Sequence, residues 1–319
     1  MAVLVGIDEA GFGPILGPLV ISSAAFSLPD DLLHSDLWRI LARSVSDKRS
    51  RLLGRLLIAD SKKVYSKSLG IKHLERSVLA CLRYLGSRPA TLTELITTLC
   101  PHQTETLSDY PWYRDTDKHR LPCDQPDLAI AASLLSDDFD SRNVKLLDLK
   151  SRILEVAYYN KMVAAVKNKA SVLFSATSYL IKTAFDRFAN DNLQVIIDRQ
   201  GGRSHYRRNL LLMFPDAHLT ILQEDGHTSS YELKSQAGQM RVHFIVRADG
   251  RFLPVSLASM VSKYIRELLM DNINRYFLNL SAGLKPTAGY WTDGLRFIED
   301  IKKNIPAVRL DYNQLIRCR

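Results

Sequence analysis

Acidic residues with the means to do chemistry stand at the ends of three apolar runs in this 319-residue chain. Asp8 and Glu9 follow V-L-V-G-I, Val3 to Ile7, and open into a turn rich in glycine and proline, A-G-F-G-P-I-L-G-P. Asp198 closes L-Q-V-I-I, Leu193 to Ile197, and Asp249 follows the run that begins at Phe244. Side chains alternate faces along a strand, so Asp8 and Glu9 cannot both enter one apolar layer, and at least one must face a cleft or solvent. Adjacent carboxylates repel each other unless a cation lies between them, and a divalent metal is the simplest such partner. Hard oxygen ligands of this kind select Mg2+ or Mn2+.

Plainer readings compete. An acid before glycine is a common turn former, and Asp198 is equally able to cap the turn that follows it. Gly11-x-Gly13 after a strand is reminiscent of a dinucleotide cradle, but Gly17 is one residue too far, Pro14 and Pro18 interrupt the run, and the next segment, from Leu19, is strand-like rather than helical. Cations accompany the acids: Lys62 and Lys63; Arg199, Arg203, Arg207 and Arg208 around His205 and Tyr206; and Lys263 with Arg266. A phosphate backbone passing the acids would use the four arginines, and Lys263 with Arg266 could bracket phosphates or pair locally with acids, although such runs also occur as solvated charge and the two lysines as an ordinary helix start.

The elements that must position these residues follow from periodicity. Val3 to Ile7 and the segment from Leu19 read as strand, turn, strand; Leu193 to Ile197 reads as a buried strand, and a further strand is expected to end at Asp249. Helical spacing predicts helices over residues 32–46, 69–85, 127–135 and 158–190, and another beginning at Pro254, which suits a first turn. Val144 to Val156 reads as extended, and the tail from Pro306 as a strand or ordered extension. Residues 88–143, rich in Pro, Asp, Ser and Thr, give little periodicity. Tyr110, Trp112, Tyr113, Arg114, Lys118, His119 and Arg120 within them fit either a stacking and phosphate-binding patch or a surface loop.

Taken in order, these motifs resemble the type 2 ribonuclease H family. D-E-A-G-F-G-P-I-L-G-P is similar to that family's D-E-A-G-R-G-P-x-x-G-P, with Phe12 in place of arginine. D-S-K-K falls on Asp60, Ser61, Lys62 and Lys63, and Asp198 holds the third acidic position. Asp249 precedes a helix in which Ala258, Ser259, Met260, Lys263 and Arg266 keep the spacing of A-A-S-I-x-A-K-x-x-R-D, with Glu267 in place of the last aspartate. A-G-Y-W-T-D looks like G-Y-P-x-D, so Tyr290 falls on the tyrosine that stacks on a sugar at the cleavage junction. The resemblance implies an α/β ribonuclease H-like fold, a mixed central sheet flanked by helices, in a single catalytic domain over 1–319. Residues 88–143 would be an irregular or helical insertion, and 270–319 a C-terminal helical extension. It implies Asp8, Glu9, Asp198 and Asp249 as catalytic metal ligands, with Gly11, Phe12, Gly13, Lys62, Lys63, Lys263, Arg266 and Tyr290 on the substrate side, which Arg203 joins from the basic loop after Asp198. The activity implied is two-metal hydrolysis of the RNA strand of RNA·DNA hybrids, leaving 5′-phosphate and 3′-hydroxyl ends. RNA would be told from DNA at the 2′-hydroxyl.

A net charge of +9 favours an anionic partner, nucleic acid or a membrane surface. The four cysteines, Cys81, Cys100, Cys123 and Cys318, are irregularly spaced and suggest neither a zinc site nor a disulfide framework. No run reaches the roughly 20 apolar residues of a membrane span. A cytoplasmic monomer is expected. Two other functions remain open on the same fold, a catalytically silent nucleic-acid-binding protein and a structure-specific DNA endonuclease.

Overall fold

The computed structural model describes all residues except 51, 67, 102, 307–309 and 319. The chain begins with β1 (Ala2–Ala10) and β2 (Leu19–Leu28), then short pieces: a 3-10 turn (Asp30–Leu32), α1 (Leu37–Ile40), β3 (Val45–Ser46), β4 (Leu56–Leu57) and α2 (Ser61–Val64). Helices α3 (Lys72–Tyr84), α4 (Leu92–Leu99), α5 (Thr104–Ser108) and α6 (Pro126–Arg142) lead to β5 (Lys145–Leu154). Helices α7 (Val156–Val166) and α8 (Lys169–Phe188) precede β6 (Asn192–Asp198), α9 (Arg207–Met213) and strands β7 (His218–Glu224), β8 (Thr228–Ser235) and β9 (Gly238–Ile245). A 3-10 turn (Ala248–Gly250), α10 (Leu253–Leu280), α11 (Trp291–Asn304) and α12 (Tyr312–Leu315) complete it.

Seven strands form one mixed sheet in the order β5-β2-β1-β6-β9-β8-β7. The parallel strands β1, β6 and β9 lie side by side in its middle, with antiparallel neighbours outside. Helices cover both faces, which is why β1 is a nearly continuous apolar run. Its odd positions Val3, Val5 and Ile7 join one core with residues of α7 and α8, while Leu4 joins a larger core with α3, α10 and the segment before β5. Asp8 shares the face of Leu4 and Gly6, the face that meets α10. The helix comes in close because Gly6 has no side chain: a Cβ there would lie 2.2 Å from the Pro254 carbonyl carbon. Ser256, Ala258, Ser259 and Ser262, all buried on α10, keep that approach close farther along.

Several sequence expectations change. Over residues 32–46 the only helical pieces are the end of the Asp30–Leu32 turn and the four residues of α1, and the stretch closes on β3. The chain leaves the helix because buried Asp138 of α6 takes the Ser44 N–H (2.9 Å) and hydroxyl (2.8 Å), steering it into β3. The helix expected over 158–190 is two helices, broken where Lys167 adopts φ 50° and Asn168 caps α8 by accepting from Ser171 N. Residues 88–143 are largely helical, and α6 is longer than expected, ending at left-handed Asn143. Tyr110, Trp112 and Tyr113 are buried in one aromatic cluster whose Trp112 meets Tyr276 and Phe277 of α10, so neither a stacking patch nor a surface loop describes these three rings. Strand β9 ends at Ile245, four residues before Asp249. The described part of the tail is α12 and a bridge from Ile316 to Leu16 rather than a strand; residues 307–309 and 319 lie outside the described residues.

Candidate nuclease site

Three adjacent parallel strands deliver the acids. Asp8 and Asp198 come directly after the paired residues Ile7 and Ile197, so their carboxylates leave β1 and β6 at the same level. Asp198 in turn pairs with Ile245, the last residue of β9. The chain beyond β9 turns at Arg247, whose φ is 55°, and folds the Ala248–Gly250 turn back onto Asp198, which accepts a 2.7 Å hydrogen bond from Ala248 N. Asp198 is thus both site carboxylate and turn cap, although the turn it caps lies 50 residues away. The Asp249 carbonyl accepts from the Ser256 hydroxyl, fastening the turn to the first residues of α10. The carboxyl ends of parallel strands are where open α/β sheets commonly place ligands.

The acids disturb one another. Burial first, then Glu9 and Asp198, raise the Asp8 carboxyl well above its usual range, with Asp249 adding to the effect. Burial and Asp198 push Glu9 up to about 7. Burial, Asp60 and Asp198 push Asp249 up to about 6. Asp198 is raised by burial, against the Ala248 N–H and the Lys62 ammonium. Lys62, exposed on α2, is the cation that opposes the shifts at Glu9, Asp198 and Asp249. Self-repulsion of this kind is relieved by a hard divalent cation, and an all-carboxylate donor set has the composition Mg2+ or Mn2+ selects. Among the described residues, however, no group of three or more His, Cys, Asp or Glu is already arranged to hold a metal ion. The strand ends and the Ala248–Gly250 turn bring the acids close enough to repel one another without setting them at coordinating positions.

Asp60 and Ser259 are the site residues that spacing alone did not identify. Asp60 caps α2 by accepting from Lys62 N (2.9 Å) and faces Asp249. Its place in D-S-K-K was visible as a helix start but not as a fifth acid. Ser259 faces the Asp8 carboxylate and holds its proton affinity down, while its hydroxyl donates to the Ser61 hydroxyl at 3.0 Å, joining α10 to α2.

The expected substrate-side residues divide. Gly11 has φ +95° and sits on the Arg266 side chain, where a Cβ would come within 2.6 Å of Nε; Gly13 is exposed with open space around it. Phe12 packs at the edge of the α8 core. Lys62 and Lys63 are exposed. Tyr290 caps α11 and is 52% exposed, with the Arg266 guanidinium 5.9 Å from its ring centre. Arg266 is not open to substrate: it is 1% exposed and donates to the carbonyls of Leu16 (3.3 Å) and Ala288 (3.1 Å), tying the opening turn to the loop before α11. Lys263 is bound to Glu267 at 2.5 Å and lies over the Tyr65 ring. Both belong to a bracing network because the face of α10 that carries them is packed under the opening turn. Of the basic stretch after Asp198, Arg199 is tied to the carbonyls of Arg203 and Gly226, Arg203 is half-buried, and Arg207 and Arg208 are exposed.

No protein-family model matches the chain, and no curated protein matches it either. Solved structures resemble it at low identity. Ribonuclease HII from Archaeoglobus fulgidus, in its complex with PCNA, is 16% identical with a TM-score of 0.46, the match covering 99% of this chain and 92% of that one. Ribonuclease H2 from Pyrococcus horikoshii OT3 is 14% identical with a TM-score of 0.42, covering 98% and 92%. Bst-RNase HIII in complex with Mn2+ is 15% identical with a TM-score of 0.41, covering 86% of this chain and 55% of that one.

Proposed function

We propose that this chain is a metal-dependent endonuclease that hydrolyses the RNA strand of RNA·DNA hybrids. The observation that carries the reading is the convergence of Asp8, Glu9, Asp198 and Asp249, from positions up to 241 residues apart, on one end of the central sheet, where Glu9, Asp198 and Asp249 raise the proton affinity of Asp8 and Asp198 that of Glu9 and Asp249. Buried carboxylates that repel one another are costly to keep, and a site that binds divalent cations is the simplest function that uses them. Asp8, Glu9, Asp198 and Asp249 would hold Mg2+ or Mn2+, with Asp60 behind Asp249. When bound, such ions activate a water and stabilise charge on the leaving oxygen of a phosphodiester.

The chain's own residues have separate tasks. The Asp198–Ala248 hydrogen bond keeps Asp249 beside β6. Ser262, donating to the Asp8 carbonyl at 3.0 Å, anchors β1 to α10. Exposed Lys62 and Lys63 present positive charge to a phosphate backbone. Half-exposed Tyr290 offers an aromatic face at the rim. The net charge of +9 suits the same partner.

The test is a cleavage assay on a uniform RNA·DNA hybrid with Mg2+ or Mn2+, with an all-DNA duplex and a branched DNA junction in parallel. The expected result is cutting of the RNA strand alone, with 5′-phosphate ends and complete loss in chelator. Binding without cutting at any divalent ion, or preferential cutting of DNA, would overturn it.

A further inference from the structure

The loop after Asp198 holds three buried polar atoms that make no well-formed hydrogen bond: Gln200 Oε1, Arg203 Nη1 and the Tyr206 hydroxyl, the last facing the Gln200 backbone. Gln200 is 3% exposed and Tyr206 fully buried. The rest of each side chain is fixed. Gln200 Nε2 donates to Thr177 Oγ1 at 2.5 Å, and the Tyr206 ring stacks on Phe244 at 3.5 Å. The Arg203 guanidinium lies over the rings of Phe174 (5.4 Å) and Tyr206 (5.8 Å) and forms no ion pair among the described residues. A buried polar atom with no well-formed hydrogen bond is costly, so three on one loop are an expensive arrangement for a purely structural segment. Two of them, the guanidinium nitrogen and the phenol, are donors that call for an anionic oxygen. The loop also lies beside the acids: it follows Asp198 directly, and Glu9 is near enough to act on the Tyr206 phenol. Phe12 reaches it from the opening turn, its ring edge 4.0 Å from where a Cβ on Gly201 would stand.

We propose that Arg203, backed by Tyr206, is the docking point for one phosphodiester of the bound strand next to the carboxylates, and that Phe12 leaves Gly201 to admit it. This deepens the nuclease reading and rests on it for the identity of the strand.

Binding of a uniform hybrid, measured by fluorescence anisotropy over a range of NaCl concentrations in Ca2+, tests the inference independently of cutting. Arg203→Gln is expected to weaken binding about tenfold and to reduce the slope of log Kd against log salt by about one. Arg203→Lys retains the slope. Tyr206→Phe, which keeps the stacked ring, weakens binding about threefold. Adding Phe12→Arg to Arg203→Gln restores the slope. Thermal melts identify any variant that fails to fold, in which case Tyr206→Phe and Arg203→Lys decide. Wild-type slope and affinity in Arg203→Gln and Tyr206→Phe would overturn the inference while leaving hybrid cleavage by the wild type untouched. An Arg203-dependent slope in a protein that cuts nothing would uphold the phosphate contact and overturn the nuclease reading.

Discussion

Asp8 is the residue on which burial and charge conflict most sharply. It lies 6% exposed on β1, one of the three parallel strands in the middle of the sheet, with Glu9 beside it and Asp198 level with it on β6. A neutral amide keeps its shape and removes both the repulsion and the ligand. Asp8→Asn is therefore expected to lower hybrid cleavage by roughly three orders of magnitude while raising the melting temperature of the metal-free protein; cleavage at wild-type rates, or a destabilised apo variant, would contradict this. The sequence made Asp8, Glu9 and Asp198 legible because each ends a strand-like run that the structure reproduces. Asp60 was legible only as part of a helix start, since its proximity to Asp249 comes from tertiary packing. Arg266 misled for the same reason: its spacing from Lys263 correctly put both on α10 but did not reveal that the opening turn folds over them.

At the scale of elements, the site depends on how closely α10 approaches β1. The contact runs through Gly6, whose missing side chain admits the Pro254–Val255 backbone, and continues through Ser259 and Ser262 to Asp8. Gly6→Ala would force backbone against a new methyl group on a buried central strand. The expected outcome is a loss of about 3 kcal/mol or more in denaturant unfolding, together with reduced cleavage, because Asp249 and Ser259 ride on the displaced segment. Unchanged stability would mean that the approach is looser than described. Strands β1, β2 and β6 could be read from apolar runs, and β5 as an extended segment, because packing and local pattern agree there. The stretch of β7 and β8 gave no such reading: β7 is an exposed edge strand without a buried face. The break at Lys167–Asn168 was also missed, because helical periodicity carries across a cap that only the Asn168 side chain marks.

Across the whole molecule, the raised carboxyls make stability depend jointly on pH and divalent cation. Glu9 and Asp249 hold protons more tightly folded than unfolded. Their contribution is thus fully present below about pH 4 and is lost as pH rises through about 6 for Asp249 and about 7 for Glu9. His243 acts with opposite sign. Burial lowers it to about 4, so its contribution is present at neutral pH and lost as pH falls below its ordinary value of 6.5. Cations compete with protons only at the carboxylates, so the gain in melting temperature on adding Mg2+ should be small at pH 5 and grow to several degrees by pH 7.5. A gain independent of pH would place the ion elsewhere. The most direct measurement of the central claim is anomalous diffraction from crystals soaked in Mn2+. The account predicts manganese within about 2.0–2.3 Å of carboxylate oxygens from Asp8 and at least one of Glu9, Asp198 and Asp249. Manganese bound only away from these residues, or absent from them at millimolar concentration, would contradict it.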